Sequence, residues 1–256
     1  MRVVIHQPYF LPWLGYLSKL WFSDCFVVLD DVNFRKRHYI DRTQIVNMHG
    51  DVQWIGVPVG EKFGVKCQDI QFSGNGLVEK LVRTFTYSYA KADCYKSEME
   101  ALATILRTAF AQNSTLVGID VATIRHLMRH IYSRDLAISY SSQLKTPSEA
   151  TERVLSICRQ VGATEILIGS GKSLEVHDWQ LIRDAGIRIF QQNYMNMHPI
   201  YKQVRRQQLT FEPGLSSVDA LLNVGRAVVR EFISDPQFSP VEVLAFGEET
   251  KEMRRE

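Results

Sequence analysis

Unbroken apolar runs and apolar positions at helical spacing alternate along most of this chain. Val3-Val4-Ile5 and Cys25-Phe26-Val27-Val28-Leu29 are continuous apolar runs, the pattern of strands buried on both faces of a parallel sheet. Between them, Gly15 to Phe22 has room for a short helix entered through Pro12, which makes a β-α-β opening. Val52 to Val59 reads as a further strand, with Pro58 marking an edge or a strand end. After the turn-rich stretch Gly60 to Gly76 comes an α-rich section. Leu77, Leu81, Val82 and Phe85 share one helix face, a second helix runs from about Ser97 to Phe110, and a third spans Leu116 to Tyr132.

The last third alternates cleanly. Leu136 to Tyr140, Glu165 to Ile168 and Ile187 to Phe190 read as strands. Thr146-Pro147-Ser148-Glu149 looks like a capping box, with Thr146 as N-cap, opening a helix that ends at Gly162. Leu174 to Ala185 reads as a helix closed by Gly186. This order argues for parallel strands joined by right-handed crossovers. The predicted fold is α/β and three-layer, a mostly parallel Rossmann-like sheet with an inserted helical section at about 77–133. One domain is expected over 1–240, with a polar tail over 241–256.

Composition narrows the function classes. With 256 residues the chain can bury a core without disulfide or metal staples. Thirty basic residues against 28 acidic ones give a net charge of +2, no electrostatic case for a nucleic-acid binder. Cys25, Cys67, Cys94 and Cys158 are scattered, with no CxxC pair and no zinc spacing. They read as buried thiols in a reducing compartment. The N-terminus breaks its apolar run at His6 and shows no cleavage site, and no stretch is apolar enough to span a bilayer. The expected location is the cytoplasm.

In open parallel sheets ligands bind beyond the carboxyl ends of the strands, so polar residues there are the candidates. His6 and Gln7 end the first strand, Asp30-Asp31 the second, Gly169 to Ser173 the strand at 165–168, and Gln191 to Tyr194 the strand at 187–190. His6 is either a hydrogen-bonded structural group or a proton donor. Tyr9 and Trp13, in a loop stiffened by Pro8 and Pro12, are large aromatics to place in a mere connection. Asp30 and Asp31 suit Mg²⁺ through one carboxylate and waters, or else one caps a turn and the other pairs with Arg35, Lys36 or Arg37. Lys36, Arg37 and Arg42 form a basic cluster dense enough for a di- or triphosphate, or a solvated face. Gly169-Ser170-Gly171-Lys172-Ser173 fails as a P-loop because Ile166 stands where the motif needs its first glycine. It remains either an anion-binding turn with Lys172 as point charge or a tight β-to-α connection. His126 and His130, four apart, lack a third ligand and read as an exposed helix face.

HQPYFLPWLGYLSK followed by FVVLDDVNFRKRHY resembles the opening of the WbqC-like family of bacterial proteins, and HPIYKQ (198–203) and LSSVDALLNVG (215–225) extend the resemblance. The family is associated with gene clusters for surface polysaccharide such as O-antigen. A Ser-Gly pair is usual at the position of Ser170-Gly171. The resemblance favours His198, Tyr201 and Gln203 as a loop presented to a pocket, against a surface turn. Asp219 and Asn223, on one face of a helix capped by Ser216 or Ser217, would reach a substrate or hold that loop. A looser similarity of shape links Trp13-Leu14-Gly15-Tyr16 to nucleotidylyltransferases of the HxGH type, but neither histidine of that motif is present. Gly15 would there let a phosphate approach a helix N-terminus.

These readings converge on a transferase for a phosphorylated or nucleotide-linked small molecule in bacterial surface glycan synthesis, by nucleotidyl or by acyl or aminoacyl transfer. Mg²⁺ with a nucleotide is the cofactor it would call for. The competing class is a non-catalytic ligand-binding or scaffold protein of a biosynthetic complex.

Overall fold

The computed structural model describes residues 1–60, 64–72, 74, 76–171, 173–206, 209–235 and 238–241. Lys172 and most of the predicted tail, 242–256, lie outside them. The chain opens as the apolar runs predict, with β1 (Arg2–His6), α1 (Leu14–Trp21) and β2 (Cys25–Val28). A hairpin of β3 (Arg42–Val46) and β4 (Val52–Gly56) follows, then three consecutive helices, α2 (Leu77–Tyr89), α3 (Tyr95–Gln112) and α4 (Leu116–Tyr132). The remainder runs β5 (Ile138–Tyr140), α5 (Ala150–Val161), β6 (Glu165–Ile168), α6 (Ser173–Val176), α7 (Trp179–Asp184), β7 (Arg188–Gln192), α8 (Ser217–Ser234) and β8 (Phe238–Pro240).

The main sheet has six strands in the order β5-β2-β1-β6-β7-β8. β5, β2, β1, β6 and β7 pair in parallel, and β8 alone joins antiparallel, on β7. Alternating side chains send the strands into two separate cores. Val4, Phe26, Val28 and Leu167 pack with Leu17 and Leu20 of α1, Ile124 and Leu127 of α4, and Leu221 of α8. Val3, Cys25, Val27, Ile166 and Ile168 pack with Val154 and Leu155 of α5 and Ile182 of α7. Helices thus cover both faces, a Rossmann-like three-layer arrangement. The strand order reverses between β1 and β6, and a crevice at that point, beyond the carboxyl ends, is where such sheets receive ligands.

Three local expectations are corrected, and one strand was not expected. The helix at 150–161 starts later than the capping box suggests, because the carboxylate of Glu149 itself accepts from the backbone N–H of Glu152 at 2.7 Å. The single helix expected over 174–185 is two, since Asp178 leaves helical geometry and caps α7 through the N–H of Leu181. β3 was hidden by its polar alternation, Arg42 and Gln44 facing outward between buried Thr43 and Ile45. His130 is not on an exposed face: its Nε2 lies 2.6 Å from the buried carboxylate of Glu98 on α3.

Candidate functional site

β1 delivers His6 to the crevice, and the chain then turns through Pro8 and Pro12 into α1. This loop is held from two sides. The carbonyl of Leu11 accepts from Thr43 Oγ1 of β3 (3.1 Å) and from Ser216 Oγ (2.8 Å), and the carbonyl of Pro12 accepts from the N–H of Ser217 (2.8 Å). Ser216 therefore caps α8 and, together with the backbone N–H of Ser217, locks the N-terminal loop. Trp13 lies back over Gly15, where a Cβ would stand 2.3 Å from the indole ring. Gly15 is needed because Trp13 occupies that space, not because a phosphate approaches there.

The loop walls one side of a cavity of about 600 Å³ at the carboxyl ends of β1, β6 and β7. Of the residues singled out from sequence, His6, Gln7, Tyr9, Trp13, Ser170 and Gly171 line it. Tyr16, Lys19, His38, Tyr39, His177, Gln192 and Tyr194 line it as well. Tyr9 sits between Tyr16 and Tyr39 in a stack, with ring centroids 4.9 and 5.1 Å away. His6 meets the edges of Tyr9 and Tyr16 at 4.8 and 5.2 Å. Its Nδ1 is 2.8 Å from the carbonyl of Gln7, which can only accept, so Nδ1 carries the proton and Nε2 keeps a lone pair. Burial, helped by the nearby Lys19 ammonium, pushes the His6 pKa down to about 3.

Lys19 is 5% exposed, yet among the described residues its ammonium has no hydrogen bond and no ion pair. It lies 5.6 Å from the Tyr16 ring centroid, and burial lowers its pKa to about 8. Gln192 is 3% exposed with no partner for its amide nitrogen, and His177 Nδ1 is likewise unpartnered. Among the described residues none that lines the cavity is acidic.

The other candidates lie elsewhere. His198 is behind the wall: it stacks on Trp13 with centroids 6.5 Å apart and 14° between planes, and its Nδ1–H donates to Pro199 O at 2.9 Å. Burial lowers its pKa. Tyr201, Gln203, Asp219 and Asn223 form a buried network. Asp219 accepts from Tyr89 Oη (2.9 Å), Tyr201 Oη (2.7 Å) and Gln203 Nε2 (3.3 Å), while Asn223 Oδ1 accepts from the N–H of Val204 (2.8 Å). Lys36 and Arg37 are exposed. The backbone N–H groups of Arg37 and His38 donate to the Asp41 carboxylate at 3.0 and 2.8 Å, curling this loop so that His38 meets the cavity. Arg42 lies 4.0 Å over the Trp54 ring and faces a different groove, shared with α2. Asp30 accepts from the Ser142 N–H and hydroxyl and from Ser141 Oγ, and Asp31 accepts from Ser141 Oγ and Arg153 Nη1. The two carboxylates thus clamp the turn after β5. Among the described residues no group of three or more His, Cys, Asp or Glu side chains is placed to hold a metal ion.

Lys19 is the main residue that pattern reading passed over. It is the one charged side chain in α1, LGYLSKLW, three positions after Tyr16 and so on the same helix face. A lone lysine in an otherwise apolar helix was the available signal. No helix among the described residues is long and apolar enough to cross a membrane.

A sequence model of the WbqC-like protein family matches residues 7–231, a span that begins at the cavity loop and ends within α8. The chain is also similar to an uncharacterized protein of Mycobacterium tuberculosis, Rv1507c, at 29% identity over 231 residues that make up 88% of this chain and 94% of that protein. No solved structure matches.

Proposed function

The chain belongs to the WbqC-like protein family, and we propose that it is a transferase acting on a phosphorylated or nucleotide-linked small molecule in surface glycan assembly. One observation carries this reading: the cavity at the switch point combines Lys19, His6, His38 and His177 with a wall of aromatic rings and, among the described residues, no acidic side chain. Such a lining suits an anion attached to a ring. Tyr9, Tyr39 and Trp13 offer faces and edges to a base or sugar, and the cationic side holds phosphate. His6 Nε2, with its lone pair directed by the Nδ1–H bond to Gln7, accepts the acceptor's proton as the acceptor's oxygen or nitrogen bonds to the transferred group. The donor's bond to that group breaks, releasing pyrophosphate in nucleotidyl transfer or the donor's thiolate or alkoxide in acyl or aminoacyl transfer. A bound anion beside His6 and Lys19 favours their charged forms, which restores the basicity that burial removes. His198 supports Trp13 from behind. Nucleotidyl and acyl or aminoacyl transfer both fit this division of labour.

The non-catalytic reading has one observation in its favour, the weak basicity of His6 in the free protein. Thermal-shift titration with ATP, CTP, UDP- and dTDP-sugars and acyl-CoA, with and without Mg²⁺, separates the outcomes when followed by product analysis. A ligand at about 100 times its Kd adds roughly 2.7 kcal/mol of stability. The transferase reading expects stabilisation by a nucleotide-linked compound and a His6→Asn variant that still binds it but turns over about 100-fold more slowly. Binding with unchanged turnover in that variant removes His6 from catalysis. Silence across the panel overturns the proposed substrate class.

A further inference from the structure

The end of β6 continues into Gly169-Ser170-Gly171, and all three residues line the cavity. Lys19 reaches this turn from α1: a Cβ on Gly169 would stand 3.6 Å from Nζ. The missing side chain therefore leaves open the space between the β6 backbone and the ammonium. Gly171 has nothing within 4 Å of its own Cβ position. On the other flank β7 runs parallel to β6, with Ile168 opposite Gln191, so Gln192 follows directly beside Gly169. Gln192 lines the same cavity, and its amide nitrogen, shielded from water, has no hydrogen-bond partner.

Each of these features is costly or idle without a ligand. The Lys19 ammonium reaches the cavity from a largely buried side chain with no counter-charge to neutralise it, and a buried amide without a partner destabilises the fold. A helix, a turn and a strand place them within one corner, next to His6 and beside Tyr16 at the edge of the aromatic wall. An oxyanion seated there would meet the lysine, the glycine-turn backbone and the amide together. We infer that Lys19, the Gly169–Gly171 turn and Gln192 form a phosphate subsite, which receives the phosphate or pyrophosphate of the ligand and points its ring toward Tyr9 and Trp13. This inference deepens the proposed function and rests on that reading for the identity of the ring, but the anion site is tested without it.

The probe is inorganic pyrophosphate, titrated calorimetrically into the full chain at constant ionic strength. Three variants accompany the wild type: Lys19→Met, Gly169→Ala and Arg42→Gln, the last facing a different groove. The inference expects wild-type binding that weakens by about tenfold or more in Lys19→Met, the scale of a lost charge-assisted hydrogen bond. It expects a comparable loss in Gly169→Ala, whose methyl group meets Nζ at ordinary contact distance and so fills the anion's place without displacing the fold. Arg42→Gln should bind as the wild type does. Thermal melts control for folding: Lys19→Met should melt at or above the wild-type temperature, because it removes an unpaired buried charge. Pyrophosphate binding with this variant pattern, but with no turnover of any nucleotide-linked compound, supports the subsite and counts against the transferase. Nucleotide-linked ligands that bind equally well to Lys19→Met and Gly169→Ala overturn the subsite and leave the proposed substrate class standing. Absence of pyrophosphate binding to the wild type also overturns it.

Discussion

Two regions of this protein are dense in tyrosine, glutamine, histidine and charged side chains, and they are built on opposite principles. Around Asp219 the carboxylate, Gln203 and Asn223 all have protein partners, although Ser217 Oγ at the start of the same helix has none. The carboxylate takes two tyrosine hydroxyls and an amide, Gln203 exchanges hydrogen bonds with the backbone of Glu212, and Asn223 bridges Val204 to Asp219. In the switch-point cavity, Lys19 has no counter-charge, Gln192 Nε2 and His177 Nδ1 have no partner, and His6 Nε2 keeps a free lone pair. Saturated groups hold a fold together, whereas unsaturated ones facing a cavity are kept for something that arrives. Residue type does not separate the two regions. Whether the unpartnered groups line a cavity does.

The contrast predicts opposite sensitivities, and the largest concerns acid. His6 in the folded chain titrates at about 3, below the ordinary histidine value, so the unfolded chain binds more protons between roughly pH 6.5 and 3. Stability therefore falls as pH falls through that window, by roughly 5 kcal/mol from His6 once pH 3 is reached. Burial lowers the pKa values of His38, His177 and His198 as well, and these add in the same direction. Urea denaturation at a series of pH values should show this decline, flattened in His6→Asn. An unaltered acid limb in that variant would mean that His6 is not held neutral by burial, and the cavity would lose its claim to a destabilised resting state.

Next in size is Asp219→Ala. It strands the hydroxyls of Tyr89 and Tyr201 and the amide of Gln203 in a buried site, at a cost of about 3–5 kcal/mol and a fall in Tm of roughly 10 °C. Ligand binding by the folded fraction at low temperature should change by less than about threefold, because none of these groups lines the cavity. A specific loss of binding with little loss of stability would reverse the assignment and make the network part of the site.

The same contrast explains what the sequence could and could not disclose. Continuous apolar runs carry β1, β2, β6 and β7, since strands covered on both faces have no room for polar alternation, and the switch point follows from their order. His6, Gln7, Tyr9, Trp13, Ser170 and Gly171 were legible because they stand at or just after those strand ends. Lys19 was not, because its helix reads as core and only the tertiary fold shows that its tip emerges beside Gly169. Asp30 and Asp31, which the sequence leaves open between a metal pair and a turn cap, show the reverse. A carboxylate pair at a strand end has the composition of a metal site, but the hydroxyls of Ser141 and Ser142, more than 100 positions away, occupy it. Partners that distant leave no local trace.

The two histidines that follow from the family motifs put the comparison to its finest test. Each donates Nδ1–H to a carbonyl next to it in sequence, Gln7 for His6 and Pro199 for His198, so their tautomers agree. They differ in what the rest of the ring meets. His6 lines the cavity, whereas His198 lies flat against Trp13, edge-on to Tyr194 at 5.6 Å and 5.5 Å from Phe211. A ring enclosed by three aromatic groups acts as a spacer that fixes the indole. His198→Phe keeps that shape and removes only the nitrogen chemistry, so it should cost about 1 kcal/mol, the worth of one hydrogen bond. Turnover and KM should stay within about twofold of the wild type if positioning is its whole contribution, while His198→Ala, which also removes the ring, should raise KM by freeing Trp13. A large fall in kcat with His198→Phe, at unchanged KM, would instead place an imidazole proton of the second histidine on the reaction path and erase the distinction between a wall and its support.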